Sequence, residues 1–233
     1  IQKMEEILRK NPLYQQKATV YHRLAERHWQ EANYRFLLAM EVYGRKMDEF
    51  QANTLNVEPK EPVENYSVAL DYYRRIQREF GVEYDRIDEV TYYLAKGLLL
   101  EGENRKNPNL IREGVKNLKK VVKEYPSSRY VPESYLALGE YYFEHNMLFY
   151  AKNNYEAIIN NFKKASMYNY ALYKLAWVFY NLREYDKSIS TFKGVIEQLG
   201  DPIGIADGDG GGRPVHCRGG GYFKSGSVNG GYG

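Results

Sequence analysis

Several things are scarce in this 233-residue chain, and each scarcity excludes something. There is one cysteine, Cys217, so no disulfide can close within the chain. No apolar run approaches the roughly 18 residues that a membrane-spanning helix needs. Excess charge of one sign is also missing. The 33 Lys and Arg face 30 Asp and Glu, a net charge of +3, too balanced for bulk charge alone to draw the chain to nucleic acid or an anionic membrane. Tryptophan occurs twice and phenylalanine nine times, against 24 tyrosines. Tyrosine packs as a ring while its hydroxyl stays at a wet edge. Such a residue suits the half-buried positions between stacked helices.

Helical periodicity runs almost without interruption over residues 1–199. Residues 200–233 hold most of the glycines and no amphipathic period. A Gly-rich segment of this kind buries too little apolar surface to offset its ordering entropy, so disorder is expected there. The chain opens at Ile1 inside a segment that reads as helix to Lys10, so an upstream segment is expected.

The helical part repeats. In one unit Tyr135, Leu138, Gly139 and Tyr142 are followed by Ala151 and Tyr155; in the next, Leu172, Leu175, Ala176 and Phe179 are followed by Ser188 and Phe192. In both, the small residues stand 12 apart, Gly139 to Ala151 and Ala176 to Ser188. Small side chains at these points let two helices of a hairpin approach closely, and the aromatics fill the space around the contact. An earlier unit carries Leu94, Ala95, Leu98, Gly114, Leu118 and Val121, with about seven extra residues expected as an insertion around Glu103–Pro108. The first carries Tyr21, Leu24, Ala25 and His28. Its second helix, with Ala69, Tyr73 and Ile76, is delayed by a long helix from Glu31 to about Asn53 and a Pro-containing linker, Val57–Glu64. Asn11-Pro12 marks the end of a further half-unit. The expected fold is all-α: about four and a half helical hairpins stacked as a right-handed solenoid over residues 1–199, with a Gly-rich tail over 200–233.

The spacing of aromatic, Leu, Gly or Ala, Tyr, then Ala and Tyr resembles the tetratricopeptide repeat. Lys123–Phe143, Ala171–Asp186 and Tyr21–Trp29 are similar to segments of bacterial cell-envelope tetratricopeptide proteins of the outer-membrane-assembly lipoprotein, Tol–Pal accessory and gliding-motility types. The resemblance implies a non-catalytic scaffold, part of a longer exported protein of the periplasm or outer membrane, that binds a protein or peptide along the concave face lined by the first helix of each hairpin. Counted from the small residue, that face offers His22, Glu26, Trp29 and Gln30; then Glu89, Tyr92, Lys96 and Leu99; then Glu133, Leu136, Glu140, Phe143 and Glu144; and last Tyr170, Tyr173, Trp177 and Tyr180. The last set is an aromatic stripe of the kind enriched in binding hot spots. The competing reading makes it core beneath a following helix. The mostly aromatic, aliphatic and acidic character of the face argues against capture of a C-terminal carboxylate.

No residues stand at a credible spacing for catalysis or a cofactor, and neither is expected. His22 and His28 are six apart, off a common helical face, so no metal site is expected from them. Cys217 beside His216, the calcium-loop-like Asp207-Gly-Asp-Gly, and Arg218-Gly-Gly-Gly-Tyr-Phe all lie in the Gly-rich tail. Lys116, Lys119, Lys120 and Lys123 form a basic stripe on one helix. With the tail, this stripe supports an alternative reading as a nucleic-acid-binding accessory. Another alternative is a regulatory domain of a larger enzyme. The bland reading of the stripe is a solvated face, and no nucleic-acid partner is expected.

Overall fold

A computed structural model of the protein describes residues 1–10 and 16–199. The Gly-rich tail, with Asp207–Gly210, His216, Cys217 and Arg218, lies outside the described residues, as does Asn11-Pro12. The described residues form nine α-helices and no strand: α1 (Gln2–Lys10), α2 (Lys17–Gln51), α3 (Ser67–Glu79), α4 (Ile87–Asn104), α5 (Pro108–Glu124), α6 (Val131–Glu144), α7 (Leu148–Asn161), α8 (Tyr168–Asn181) and α9 (Tyr185–Leu199). They pack in consecutive pairs, α2 with α3, α4 with α5, α6 with α7 and α8 with α9. Each pair rests on the next through α3–α4, α5–α6 and α7–α8, and α1 touches α2. This is a tetratricopeptide-like helical solenoid.

The small residues sit where the hairpins close. Ala25, Ala95, Ala151 and Ala176 are fully buried, and Ala69 nearly so. A Cβ at Gly139 would lie 2.6 Å from the ring of Tyr155, and one at Gly114 would lie 2.9 Å from Leu99 and 3.0 Å from the carbonyl of Ala95. In the last hairpin the apposition is a hydrogen bond: Ser188 Oγ donates to the carbonyl of Ala176 at 3.0 Å. The first helix of every hairpin ends the same way, with a non-glycine residue in the left-handed region: Asn53, Lys106, Asn146 and Arg183. The amide that follows each one bonds back into the helix, as in Met147 N to Tyr142 O at 2.8 Å and Glu184 N to Phe179 O at 2.9 Å.

The structure adds two details to the sequence reading. The seven extra residues expected near Glu103–Pro108 are shared between the two helices that meet there. They lengthen the helices: α4 has 18 residues and α5 has 17, against 14 in each of α6 and α7. Seven residues are about two helical turns, so the buried faces keep their phase. Asn107 caps α5, accepting from Asn109 N at 3.0 Å, with Pro108 in the first turn. The first hairpin's opening helix and the expected long helix from Glu31 are likewise one continuous helix of 35 residues, α2. No Gly or Pro interrupts it before Gly44.

Only the start of α2 is packed, through Ala18, Tyr21, His22, Leu24 and Ala25. The part beyond Ala32 contains no buried residue and exposes Tyr34, Leu37, Leu38 and Val42. That projection extends about 28 Å. Residues 52–65, if extended, span up to about 46 Å, enough to return. The return is pinned at Tyr66, whose amide donates to buried Glu101, whose hydroxyl donates to Asn33 Oδ1 at 2.6 Å, and whose ring stacks on Trp29 at 4.1 Å.

Candidate functional site

The residues that line the first helices meet two different fates. In the first three hairpins most are taken up by contacts between successive hairpins. His22 is fully buried, its Nδ1 2.9 Å from Tyr84 Oη. Trp29 is half-buried, between Tyr66 and Tyr93. Tyr92 stacks on Tyr130 at 4.8 Å. Glu140, almost fully buried, accepts from Tyr155 Oη at 2.6 Å and Tyr170 Oη at 3.4 Å and pairs with Lys174 Nζ at 3.1 Å. That ammonium also lies 4.5 Å over the ring of half-buried Phe143. Leu136 is half-buried beside the same core. Lys96 on α4 keeps part of its side chain exposed, while the protein around its ammonium withdraws that group partly from water and lowers its pKa.

The fourth hairpin differs. Tyr170, Tyr173, Trp177 and Tyr180 are 44, 40, 37 and 51% exposed. They form a continuous row along α8, with neighbouring ring centroids 6.4, 6.3 and 5.6 Å apart. Phe192 of α9 supports the row from below, 5.9 Å from Tyr173 and 5.5 Å from Trp177, and Tyr185 extends it from Tyr180 at 5.8 Å. Ile189 and Ile196 continue the apolar surface along α9, both more than half exposed. Burial and the neighbouring Glu140 carboxylate push the Tyr170 hydroxyl up to about 12, so it remains a hydrogen-bond donor at neutral pH.

Why this stripe is open follows from its counterparts one hairpin earlier. Tyr155, which stands where Phe192 stands in the last unit, is fully covered. Glu140, the counterpart of Trp177, is covered by Tyr170 and Lys174 of α8, the first helix of the next hairpin. No described residue performs that service for α8 and α9.

The lysines of α5 are partly engaged: Lys119 lies 5.7 Å over the ring of Tyr142, and Lys120 faces Glu124 at 3.8 Å. No described helix is long and apolar enough to cross a membrane. One set of residues was invisible to spacing along the chain. His22 and Glu26 of α2 are joined by Glu89 of α4, with donor atoms within 4.8 Å of one another. The four-residue step from His22 to Glu26 was readable; the arrival of Glu89 from another hairpin was not.

The model of the tetratricopeptide repeat family matches residues 170–199, which covers α8 from its third residue and all of α9. A search of the curated proteins finds none that matches.

Proposed function

We propose that the protein is a non-catalytic protein-interaction scaffold. Tetratricopeptide repeats are generally modules of that kind, and the match to one is the coarse support. The finer reading rests on the row Tyr170, Tyr173, Trp177 and Tyr180, with Phe192 beneath it. These half-exposed aromatics concentrate apolar area at low side-chain entropy cost, as hot-spot surfaces do. The partner this surface suits is a protein segment that lays an apolar face on α8, with polar contacts to the tyrosine hydroxyls at the edge. By the resemblance of Lys123–Phe143 and Ala171–Asp186, we place it in the bacterial cell envelope, in the periplasm or at the outer membrane.

A photo-crosslinking amino acid at position 180, introduced in the producing cell, should capture one dominant partner, and the same group at Lys116 on α5 should not. Trp177→Ala with Tyr180→Ala should abolish the capture of that partner at position 173 while leaving the helical melt unchanged. Capture that survives the double substitution contradicts the proposed surface. Fractionation that finds the intact protein only in the cytosol contradicts the envelope reading and leaves the surface reading standing.

A further inference from the structure

The His22–Glu26–Glu89 cluster lies at the other end of the stack from the aromatic stripe and has a donor set suited to a metal ion. His22 is fully buried. Its Nδ1 is engaged with Tyr84 Oη at 2.9 Å, while its Nε2 is buried without a hydrogen-bond partner. That nitrogen faces Glu26 Oε1 at 3.7 Å, too far for a hydrogen bond. An orphaned buried nitrogen is costly, and neither tautomer removes the cost. A proton on Nε2 has no acceptor in reach. A proton on Nδ1, donated to Tyr84, leaves an Nε2 lone pair aimed at a carboxylate. The second arrangement is how a ligating histidine is held, with the far nitrogen fixing ring orientation and tautomer. Tyr73 and Tyr84 pack edge-on against the imidazole at 5.9 and 5.7 Å and lock its plane.

We propose that His22 Nε2, Glu26 and Glu89 form a binding site for a divalent transition-metal ion, tying the first hairpin to the second. One imidazole nitrogen and two carboxylates are a borderline set that suits zinc and its neighbours. Donor atoms up to 4.8 Å apart must draw together by about 1 Å to surround an ion at bond lengths of about 2.1 Å. Glu26, whose side chain is 39% exposed, has the freedom to do so. The cation now holding the two carboxylates is Arg86, with Nε 2.8 Å from Glu89 Oε2 and Nη2 3.3 Å from Glu26 Oε1. Its side chain is 44% exposed, which leaves a path out to solvent, so Arg86 and the metal would compete for one anionic site. Arg129, 3.8 Å from Glu89 Oε1, adds a weaker competing charge.

The test is titration of the full chain with cobalt(II), followed by absorption, and with zinc by calorimetry. It uses a background in which His216→Ala and Cys217→Ser remove the competing donors of the tail. One equivalent should bind. Glu26→Gln and Glu89→Gln should each weaken binding at least tenfold, and Arg86→Gln should tighten it several-fold. His22→Gln should abolish it, with the exposed-side variant Glu26→Gln guarding against a folding artefact. Absence of one-to-one binding in both the background protein and its Arg86→Gln variant overturns the proposal. So does equal affinity in Glu26→Gln, Glu89→Gln and the background.

Discussion

The first and last hairpins present aromatic rings on the same series of helices under opposite conditions. Trp29 has one face covered by Tyr66 and an edge against Tyr93, and it leaves no room for a Cβ at Gly97. Trp177, among the described residues, has ring contacts only with its own row and Phe192, and it is 37% exposed. The difference does not lie in the helices, which obey one small-residue phase throughout. It lies in what arrives from elsewhere in the chain. The long return after α2 delivers Tyr66, and the turn before α6 delivers Tyr130 to Tyr92. Among the described residues nothing equivalent reaches α8. A repeat fold thus turns the same positions into structure where a neighbour covers them and into available surface where none does.

The sharpest way to break this comparison is to truncate both tryptophans. Trp29→Ala should cost about 3 kcal/mol in chemical denaturation, because it opens a cavity under Tyr66 and Gly97. Trp177→Ala should cost less than about 1 kcal/mol, as an exposed substitution does. Equal losses would mean that Trp177 is core. A second test concerns the hairpin contact. Gly139→Ala drives a methyl group into Tyr155, which is fully buried and bonded to Glu140, so about 2 kcal/mol of overpacking cost is expected. A third uses the paired positions 155 and 192. Tyr155→Phe removes a hydroxyl from buried Glu140 and should cost about 1 to 2 kcal/mol, whereas Phe192→Tyr should be nearly neutral because Phe192 is only half-buried.

The smallest effect separates the middle hairpins from the last by charge. Partial withdrawal from water, reinforced by Glu144 and partly offset by His145, pushes the Glu103 carboxyl up to about 6. The last hairpin carries Asn181 where the third carries Glu144. The folded state therefore holds a proton that the unfolded chain releases near its ordinary value of 4.5. Stability should fall slightly as pH rises from about 4.5 to 6. Glu103→Gln should flatten that decline in a pH series of denaturation midpoints, and an unchanged slope would remove the effect.

What was legible in the sequence was what a single hairpin decides. Ala25, Ala95, Gly139 and Ala176 mark the close approaches because those contacts form between helices adjacent in the chain, and all four positions are buried or tightly packed as their spacing requires. The seven extra residues were legible as an insertion near Glu103–Pro108, but not their division between α4 and α5, because a periodic pattern continues smoothly through both helices and hides where the turn falls. The fate of the lining residues was not legible. His22, Trp29, Tyr92 and Glu140 occupy the same repeat positions as Tyr173, Trp177 and Tyr180. Three of their covers, Tyr66, Tyr84 and Tyr130, lie in the connections before α3, α4 and α6, where helical spacing assigns no position. The His22–Glu26–Glu89 cluster escaped because it joins side chains of two hairpins, which spacing within one helix does not relate.

The chain's two tryptophans allow one direct measurement of the difference between its ends. Fluorescence of Trp177 alone, in Trp29→Phe, and of Trp29 alone, in Trp177→Phe, can be quenched with acrylamide. The open stripe predicts a quenching constant several-fold larger for Trp177 than for Trp29, falling toward the Trp29 value when the captured partner is added. Equal quenching of the two in the isolated protein would contradict the claim that α8 presents a free aromatic surface.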